Sequence, residues 1–188
     1  MTLDFLSEIA YRCTMDETPE SVVQSLRYPK KVPLEAIKSA TSDPARVAPL
    51  LIRELRKFAS DSQGYDENDR LPMIAIYLLA QWEAAEAFET VLDCLVFNDR
   101  YGGHRLGDMV TEDGPVILAA LSRADLAALE RFATRQDISG WSRGAAFNAM
   151  VSWLFFKARA KCPYLDPYGP IRRGGGKTAN WPRPGGLR

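Results

Sequence analysis

The feature that most constrains the fold of this chain is a succession of apolar stripes with helical spacing. From Asp43 to Phe156, apolar residues recur every three or four positions, and the alternation typical of a half-buried strand is nowhere sustained. Residue types that cap helices introduce the stripes. They comprise Val47, Leu50, Leu51, Leu55 and Phe58; Leu71, Ile74, Ala75, Leu78 and Trp82, widened by Tyr77 and Leu79; Phe88, Val91, Leu92, Leu95 and Val96; Val116, Ile117, Leu118 and Leu121; and Leu126, Leu129 and Phe132. The sequence therefore predicts an all-α fold.

Short breaks between neighbouring stripes predict antiparallel helix pairs. Only Glu83 to Ala85 separates the second stripe from the third, so we expect these two helices to turn back on each other. The fourth and fifth stripes are expected to form a second pair, with Thr111 and Asp125 as their caps. The two pairs start near Arg70 and Glu112, about 42 residues apart, which lies within the period of HEAT-type repeats. We therefore predict a short HEAT-like stack of antiparallel helix pairs.

Two shorter helices and one unusually apolar helix complete this prediction. Pro19 to Arg27 and Pro33 to Ala40 have helical character and are separated by X-Pro pairs, which disfavour helix. Trp141 to Phe156 is apolar nearly all round, which predicts a helix that is central or covered on both faces. The tryptophans that lie on helical stripes are expected in the core: Trp82, Trp141 and Trp153.

Composition indicates one ordinary globular domain, since 46% of the 188 residues are apolar and 26% are charged. No apolar run approaches the roughly 20 residues that span a bilayer. The amino terminus lacks the basic start of a secretory signal, so we expect a cytoplasmic protein. The cysteines Cys13, Cys94 and Cys162 are far apart and show no CxxC spacing, which indicates reduced thiols rather than disulfides or a zinc site.

The net charge of zero hides a strong asymmetry between the body of the chain and its end. Residues 1–156 hold 16 Lys and Arg against 23 Asp and Glu, whereas residues 157–188 hold 8 against 1. Pro163 to Arg188 contains five Pro and six Gly and too few aliphatic residues to offset the entropy of ordering. We therefore predict a helical domain over residues 1–160 and a disordered, basic, Pro/Gly-rich tail over residues 161–188.

Several segments resemble a bacterial family known as domain of unknown function 1186. The resemblance lies in Leu71 to Val96, in the Gly-Asp-x-x-Thr-Glu-Asp segment from Gly107 to Asp113, in Pro115 to Ala119, and in the Arg-Gly-Ala-Ala start at Arg143. It covers roughly residues 20–155 and implies a HEAT-related helical fold, with no activity, catalytic residue or ligand attached to it. Some members continue into a Cys-rich metal-binding motif, whereas Cys162 stands alone in this chain.

Asp108, Glu112 and Asp113, called the acidic group below, are the first candidates for chemistry. Such carboxylates bind divalent cations or act as an acid and base pair. The interpretation that we favour is structural: Thr111 caps a helix, and the charges of Glu112 and Asp113 in its first turn complement the helix dipole. The sequence therefore assigns no catalytic, cofactor-binding or metal-binding residue.

Two further patterns fail for lack of the residues that their chemistry needs. His104, the single histidine, lies in a glycine loop and has no second histidine with which to build a metal cluster. Gly174 to Thr178 is similar to the end of a phosphate-binding loop, but Ile171 stands where that motif needs a glycine.

Three functions from different classes stay open. Helical stacks without a polar constellation usually present an extended surface to another macromolecule, so we favour a non-catalytic protein–protein interaction or scaffold protein. The second is a weak nucleic-acid-associated protein, because the tail places Arg172, Arg173 and Lys177 near Trp181. The third is a metal-dependent enzyme that uses the acidic group. We expect no cofactor and no membrane partner.

The nucleic-acid hypothesis makes a testable prediction about the tail. Oligonucleotide binding should be lost when Pro163 to Arg188 is deleted, because the remaining chain is acidic. Binding by the full chain should fall steeply between about 50 and 200 mM salt, since phosphate contacts release counterions. The thermal midpoint should hardly change, because the tail contributes little buried apolar area. Fluorescence anisotropy with a labelled oligonucleotide measures both proteins, and binding by the truncated chain would contradict the charge argument.

Overall fold

A computed structural model describes residues 18–60, 66, 68–100, 105–123 and 125–161, with side chains described up to Leu154. Within these residues it contains nine α-helices and no strand, which confirms the predicted all-α class. The helices are α1 (Pro19–Ser25), α2 (Leu34–Ser42), α3 (Pro44–Ser60), α4 (Leu71–Gln81), α5 (Phe88–Arg100), α6 (Met109–Glu112), α7 (Gly114–Ser122), α8 (Leu126–Ala133) and α9 (Gly140–Lys161). A 3₁₀ turn, Ala85–Ala87, precedes α5.

By its internal contacts the chain divides into two compact units, residues 1–154 and 155–188. The expected boundary between residues 160 and 161 stays a prediction. The tail that was predicted to be disordered lies outside the described residues.

The helices pair differently from the order predicted by their succession along the chain. α3 packs most extensively on α5, and α4 packs on both α3 and α7. α4 and α5 have at most slight direct contact, so the predicted hairpin between them is wrong. The 3₁₀ turn between them contacts both α7 and α5. After this turn the chain packs on α3 through α5, rather than back on α4. The helical stack is confirmed, while its likeness to HEAT repeats stays a prediction.

Helix α3 lies at the centre of this packing because its apolar stripe is buried. Leu51, Leu55 and Phe58 are buried, and the ring of Phe58 meets that of Phe97 on α5 edge-on, with centroids 5.1 Å apart. Cys94 of α5 lies beside them as a buried free thiol and donates to the carbonyl oxygen of Leu55 at 3.6 Å. Burial raises the pKa of the Cys94 thiol above its ordinary value, so this side chain stays neutral.

Several helix starts follow local rules that the sequence displays. The Asp125 carboxylate accepts a hydrogen bond from the backbone N–H of Ala128 at 2.9 Å, which confirms the predicted cap of α8. Pro44 begins α3, and Pro72 lies in the first turn of α4. A first-turn N–H has no partner within its own helix, so proline costs little at these positions.

The chain that follows α5 is held by a side chain of α5 itself. Asn98 is buried in the last turn of α5. Its side-chain carbonyl oxygen accepts hydrogen bonds from the backbone N–H groups of Arg105 and Leu106, at 3.0 and 2.9 Å. These two bonds fix Arg105 and Leu106 against the end of α5.

Helix α9 packs through a face of small side chains. The residues buried on this face are Ser142, Ala145, Ala146 and Ala149. A Cβ atom added to Gly114, the first residue of α7, would lie 3.3 Å from the Cβ of Ala145. The two helices therefore approach each other closely at this point, and a larger residue at either position would push them apart.

The opposite face of α9 is exposed, so the prediction that this helix is covered on both faces is wrong. Phe147 is 58% exposed and Trp141 is 72% exposed, which also contradicts the predicted core position of Trp141. Trp82 and Trp153 are only partly buried. Phe147 and Trp141 are exposed because no other helix in the described ranges covers this side of α9. None of the described helices, α9 included, is long and apolar enough to cross a membrane.

The predicted core positions Leu78, Leu92, Leu118 and Leu129 are all buried. The Leu78→Ala substitution should lower the free energy of unfolding by roughly 2 to 5 kcal/mol, because it removes apolar contacts and leaves a cavity. Leu34 is exposed at the start of α2 and gives a matched control, since Leu34→Ala should change stability little. Denaturant unfolding followed by circular dichroism compares the two, and a Leu78→Ala protein as stable as its parent would contradict the fold.

Candidate interaction surface

The acidic group lies at the surface around the one-turn helix α6, and its three carboxylates are exposed. Thr111 belongs to α6, where its hydroxyl donates to the carbonyl oxygen of Asp108 at 3.0 Å. The prediction that Thr111 caps the following helix is therefore wrong. α7 begins at Gly114, with Asp113 before it and no capping hydrogen bond from a side chain. Thr111 fails as a cap because α6 places it one turn too early to reach the free N–H groups of α7.

Asp113 is instead bound by a residue of a different helix. The Tyr77 hydroxyl, on α4, donates a hydrogen bond to the Asp113 carboxylate. Tyr77 is 39% exposed, so it does not widen the buried stripe of α4 as predicted. Desolvation, followed by the hydrogen bond and charge of Asp113, raises the pKa of Tyr77 to about 12. Tyr77 is therefore a neutral hydrogen-bond donor at physiological pH, and the contact ties α4 to the start of α7.

The described residues give the metal hypothesis no support. Among them, no group of three or more His, Cys, Asp and Glu side chains is placed to hold a metal ion. His104 and the basic tail lie outside the described ranges.

A cluster of charges that the sequence did not predict lies where the chain after α1 meets α3 and the segment before α4. The Arg27 guanidinium forms ion pairs with the carboxylates of Glu54 and Asp69. Glu54 also accepts a hydrogen bond from Lys57 at 2.8 Å, and Asp69 accepts one from the backbone N–H of Leu71 at 2.9 Å. These side chains line a cavity of about 250 Å³.

The charges of this cluster satisfy one another. Glu54 is only 8% exposed, and its burial opposes the charged form. The hydrogen bonds and charges of Lys57 and Arg27 outweigh that effect and hold the pKa of Glu54 below its ordinary value. Removing one partner of such a pair leaves an uncompensated buried charge, which is strongly destabilising. We therefore assign the cluster to holding the chain after α1 against α3 and the start of α4.

An apolar groove lies between α8 and α9, with a volume of about 580 Å³. Its lining, called the α8/α9 groove below, consists of Glu130, Ala133, Thr134, Gly140, Arg143, Gly144, Phe147 and Met150. Phe147 stands out from this lining with more than half of its surface exposed. Contiguous exposed apolar surface rimmed by polar residues is typical of a site that binds another molecule.

The position of this groove depends on Asp99 at the end of α5. The Asp99 carboxylate accepts hydrogen bonds from the backbone N–H of Ser139 at 2.9 Å and from the Ser142 hydroxyl at 3.0 Å. The Ser139 hydroxyl accepts from the backbone N–H of Ser142 at 3.1 Å and so caps α9. Because the Ser142 side chain is fully buried, Asp99 fixes both the start of α9 and the face that α9 turns outward.

Comparison with known proteins gives one match. A family model described as "Protein of unknown function (DUF1186)" matches residues 18–161. No curated protein and no solved structure matches the chain. The matched range runs from the residue before α1 to the end of α9, and its description names no substrate or partner.

The contact between Tyr77 and Asp113 predicts a pH dependence. Because the pKa of Tyr77 is raised from 10.0 to about 12, the bond stabilises the fold below pH 10 and is lost as the pH rises through about 12. The difference in tyrosinate absorbance between the parent and Tyr77→Phe should isolate this titration. Asp113→Asn should move it back toward 10.0, since the negative charge is removed. A Tyr77 that titrates identically with and without the Asp113 carboxylate would show that this contact is not formed.

Proposed function

Because the chain belongs to the DUF1186 family, whose description names no activity, we propose from its own surface that it is a non-catalytic module that binds protein partners. The single observation that carries this proposal is the α8/α9 groove. In the described part of α9, which is apolar nearly all round, the buried side chains are small (Ser142, Ala145, Ala146 and Ala149), whereas Phe147 is 58% exposed. Burying that ring against a partner would remove apolar area from water, which is the main source of affinity in protein association.

The form of the groove favours a helical partner. The outward residues Gly140, Gly144, Phe147 and Leu154 are spaced four, three and seven residues apart, which places them along one face of α9. Such a seam accepts the apolar stripe of a second helix, as in coiled coils and helix-in-groove complexes. The groove contains few polar atoms that could orient a small substrate for chemistry, because Glu130, Thr134 and Arg143 are its main polar side chains.

The nucleic-acid and enzyme hypotheses differ in how far the described residues bear on them. Nucleic-acid association rests on the charge of the tail, and it stays a prediction because the tail lies outside the described residues. A metal-dependent enzyme is not proposed, since the acidic group is exposed and one of its members, Asp113, is engaged by Tyr77. The bacterial origin and cytoplasmic location also stay predictions.

Affinity capture tests the proposed function. Tagged full-length protein, its Phe147→Asp variant and a Val116→Asp control are incubated with extract of the native host, and the retained proteins are quantified. Phe147 is expected to be a hot spot whose loss weakens binding by about 2 kcal/mol or more, so Phe147→Asp should lose the specific partner. Val116 is an equally exposed apolar residue on α7, so its substitution introduces the same charge away from the groove.

Thermal unfolding of all three proteins checks that the substitutions leave the fold intact, which is expected because both positions are exposed. A partner retained equally by Phe147→Asp and by the parent would show that binding does not use the groove. Retention of no partner by the parent, with neither host proteins nor a second copy of the chain bound, would contradict the proposed function altogether.

A further inference from the structure

We propose that the occupant of the α8/α9 groove is a second copy of this chain, packed helix against helix through α9 about a two-fold axis. This inference rests on the proposed function and names the partner of the same surface. It is supported by the shape of α9, by the open space at Gly144 and by the charges on the rim of the groove.

The outward face of α9 carries both a projection and a hollow. Phe147 projects into solvent, and Gly144 lies three residues before it on the same face. A Cβ atom added to Gly144 would meet no heavy atom within 4 Å, so nothing within the described chain requires a glycine there. Glycine in the interior of a helix costs roughly 0.5 to 1 kcal/mol relative to alanine. Close approach of a group from outside the described chain gives this glycine a structural reason.

A two-fold axis brings these two features together. If two α9 helices cross antiparallel about a point between Gly144 and Phe147, the ring of each copy lies over the Gly144 of the other. Both contacts are then made by the same residues, which is the defining property of an isologous interface.

The charges on the rim favour a copy of the same chain over a partner of uniform charge. The groove carries one acidic side chain, Glu130, and one basic side chain, Arg143. The ion pairs of the described residues involve neither of them, and Arg143 donates only a long hydrogen bond, 3.4 Å, to Gln136. An acidic segment would meet Glu130 and a basic one Arg143. A second copy instead presents Arg143 to Glu130, and the two-fold axis repeats this pair.

The experiment measures the oligomeric state of the full-length protein by sedimentation equilibrium over a range of concentrations. The parent is expected to be a dimer. Phe147→Asp should raise the dimer dissociation constant by about 30-fold or more. Gly144→Leu should have a similar effect, because it fills the hollow, while a better helix former at an open position leaves the monomer stable. The Val116→Asp control should stay dimeric.

Charge reversal supplies a test that a purely structural role would not satisfy. Arg143→Glu and Glu130→Arg should each weaken the dimer by about 10-fold, since each brings like charges together across the axis. The double variant restores opposite charges and should return the dissociation constant close to that of the parent. Failure of the double variant to recover would overturn the proposed pairing.

The outcomes separate this inference from the proposed function. A parent protein that stays monomeric at every concentration overturns the second copy as occupant. If Phe147→Asp nevertheless loses a different host protein in affinity capture, the interaction function stands and only the identity of the partner was wrong. A dimer unaffected by Phe147→Asp and Gly144→Leu would also overturn the inference, because its interface would lie elsewhere.

Discussion

Burial of the apolar stripe of α3 is the constraint on which the rest of the described structure depends. α1, α2, α4 and α5 all pack on this helix, so removing its stripe from water organises the amino-terminal half of the chain. The helix persists even though Pro49 lies inside it and lacks the N–H for one backbone hydrogen bond. Its packing also sets the place where Arg27 reaches Glu54, because the chain after α1 and the start of α4 arrive at the same side of α3.

Helix α9, in contrast to α3, leaves large apolar side chains exposed. Its alanine and serine face fits closely against the first residue of α7 and the end of α5, and this fit uses little apolar area. Three of its larger side chains, Trp141, Phe147 and Leu154, are consequently left on the outside. The same 3.6-residue geometry that gives α3 one buried stripe gives α9 two apolar sides, of which the described fold uses one. The proposed interaction function depends on the apolar side of α9 that the described fold leaves exposed.

Local features of the fold could be predicted from the sequence, and long-range ones could not. Helical periodicity located α3, α4 and α5 because each needs an apolar face, and Asp125 identified a helix start because capping is a local hydrogen bond. Periodicity does not say which helix covers a stripe, so the predicted hairpin of α4 and α5 was wrong. The bond of Arg27 to Glu54 joins residues that are 27 positions apart, and the bond of Asp99 to Ser142 joins residues that are 43 positions apart. No local sequence pattern predicts either bond.

The groove was missed for a related reason. The sequence shows the apolar character of α9 and predicts a helix that is central or covered on both faces, with Trp141 and Trp153 in the core, because burial is the more frequent fate of large apolar residues. Only the packing of α9 reveals that its alanines face inward and that Gly144 opens to solvent. The open surroundings of that glycine were the missing signal, and they depend on tertiary structure.

The position of Cys94 makes the central interface of the fold observable in solution. Its thiol is sealed between α5 and α3, donates to the carbonyl oxygen of Leu55, and is kept neutral by burial. An alkylating reagent reacts with the thiolate of an accessible cysteine, so the folded protein shields this sulfur on both counts. Modification of Cys94, followed by mass spectrometry of its own peptide, therefore records how often α3 and α5 separate. The rate at which Cys94 is modified therefore measures how often α3, the helix on which α1, α2, α4 and α5 pack, opens away from α5.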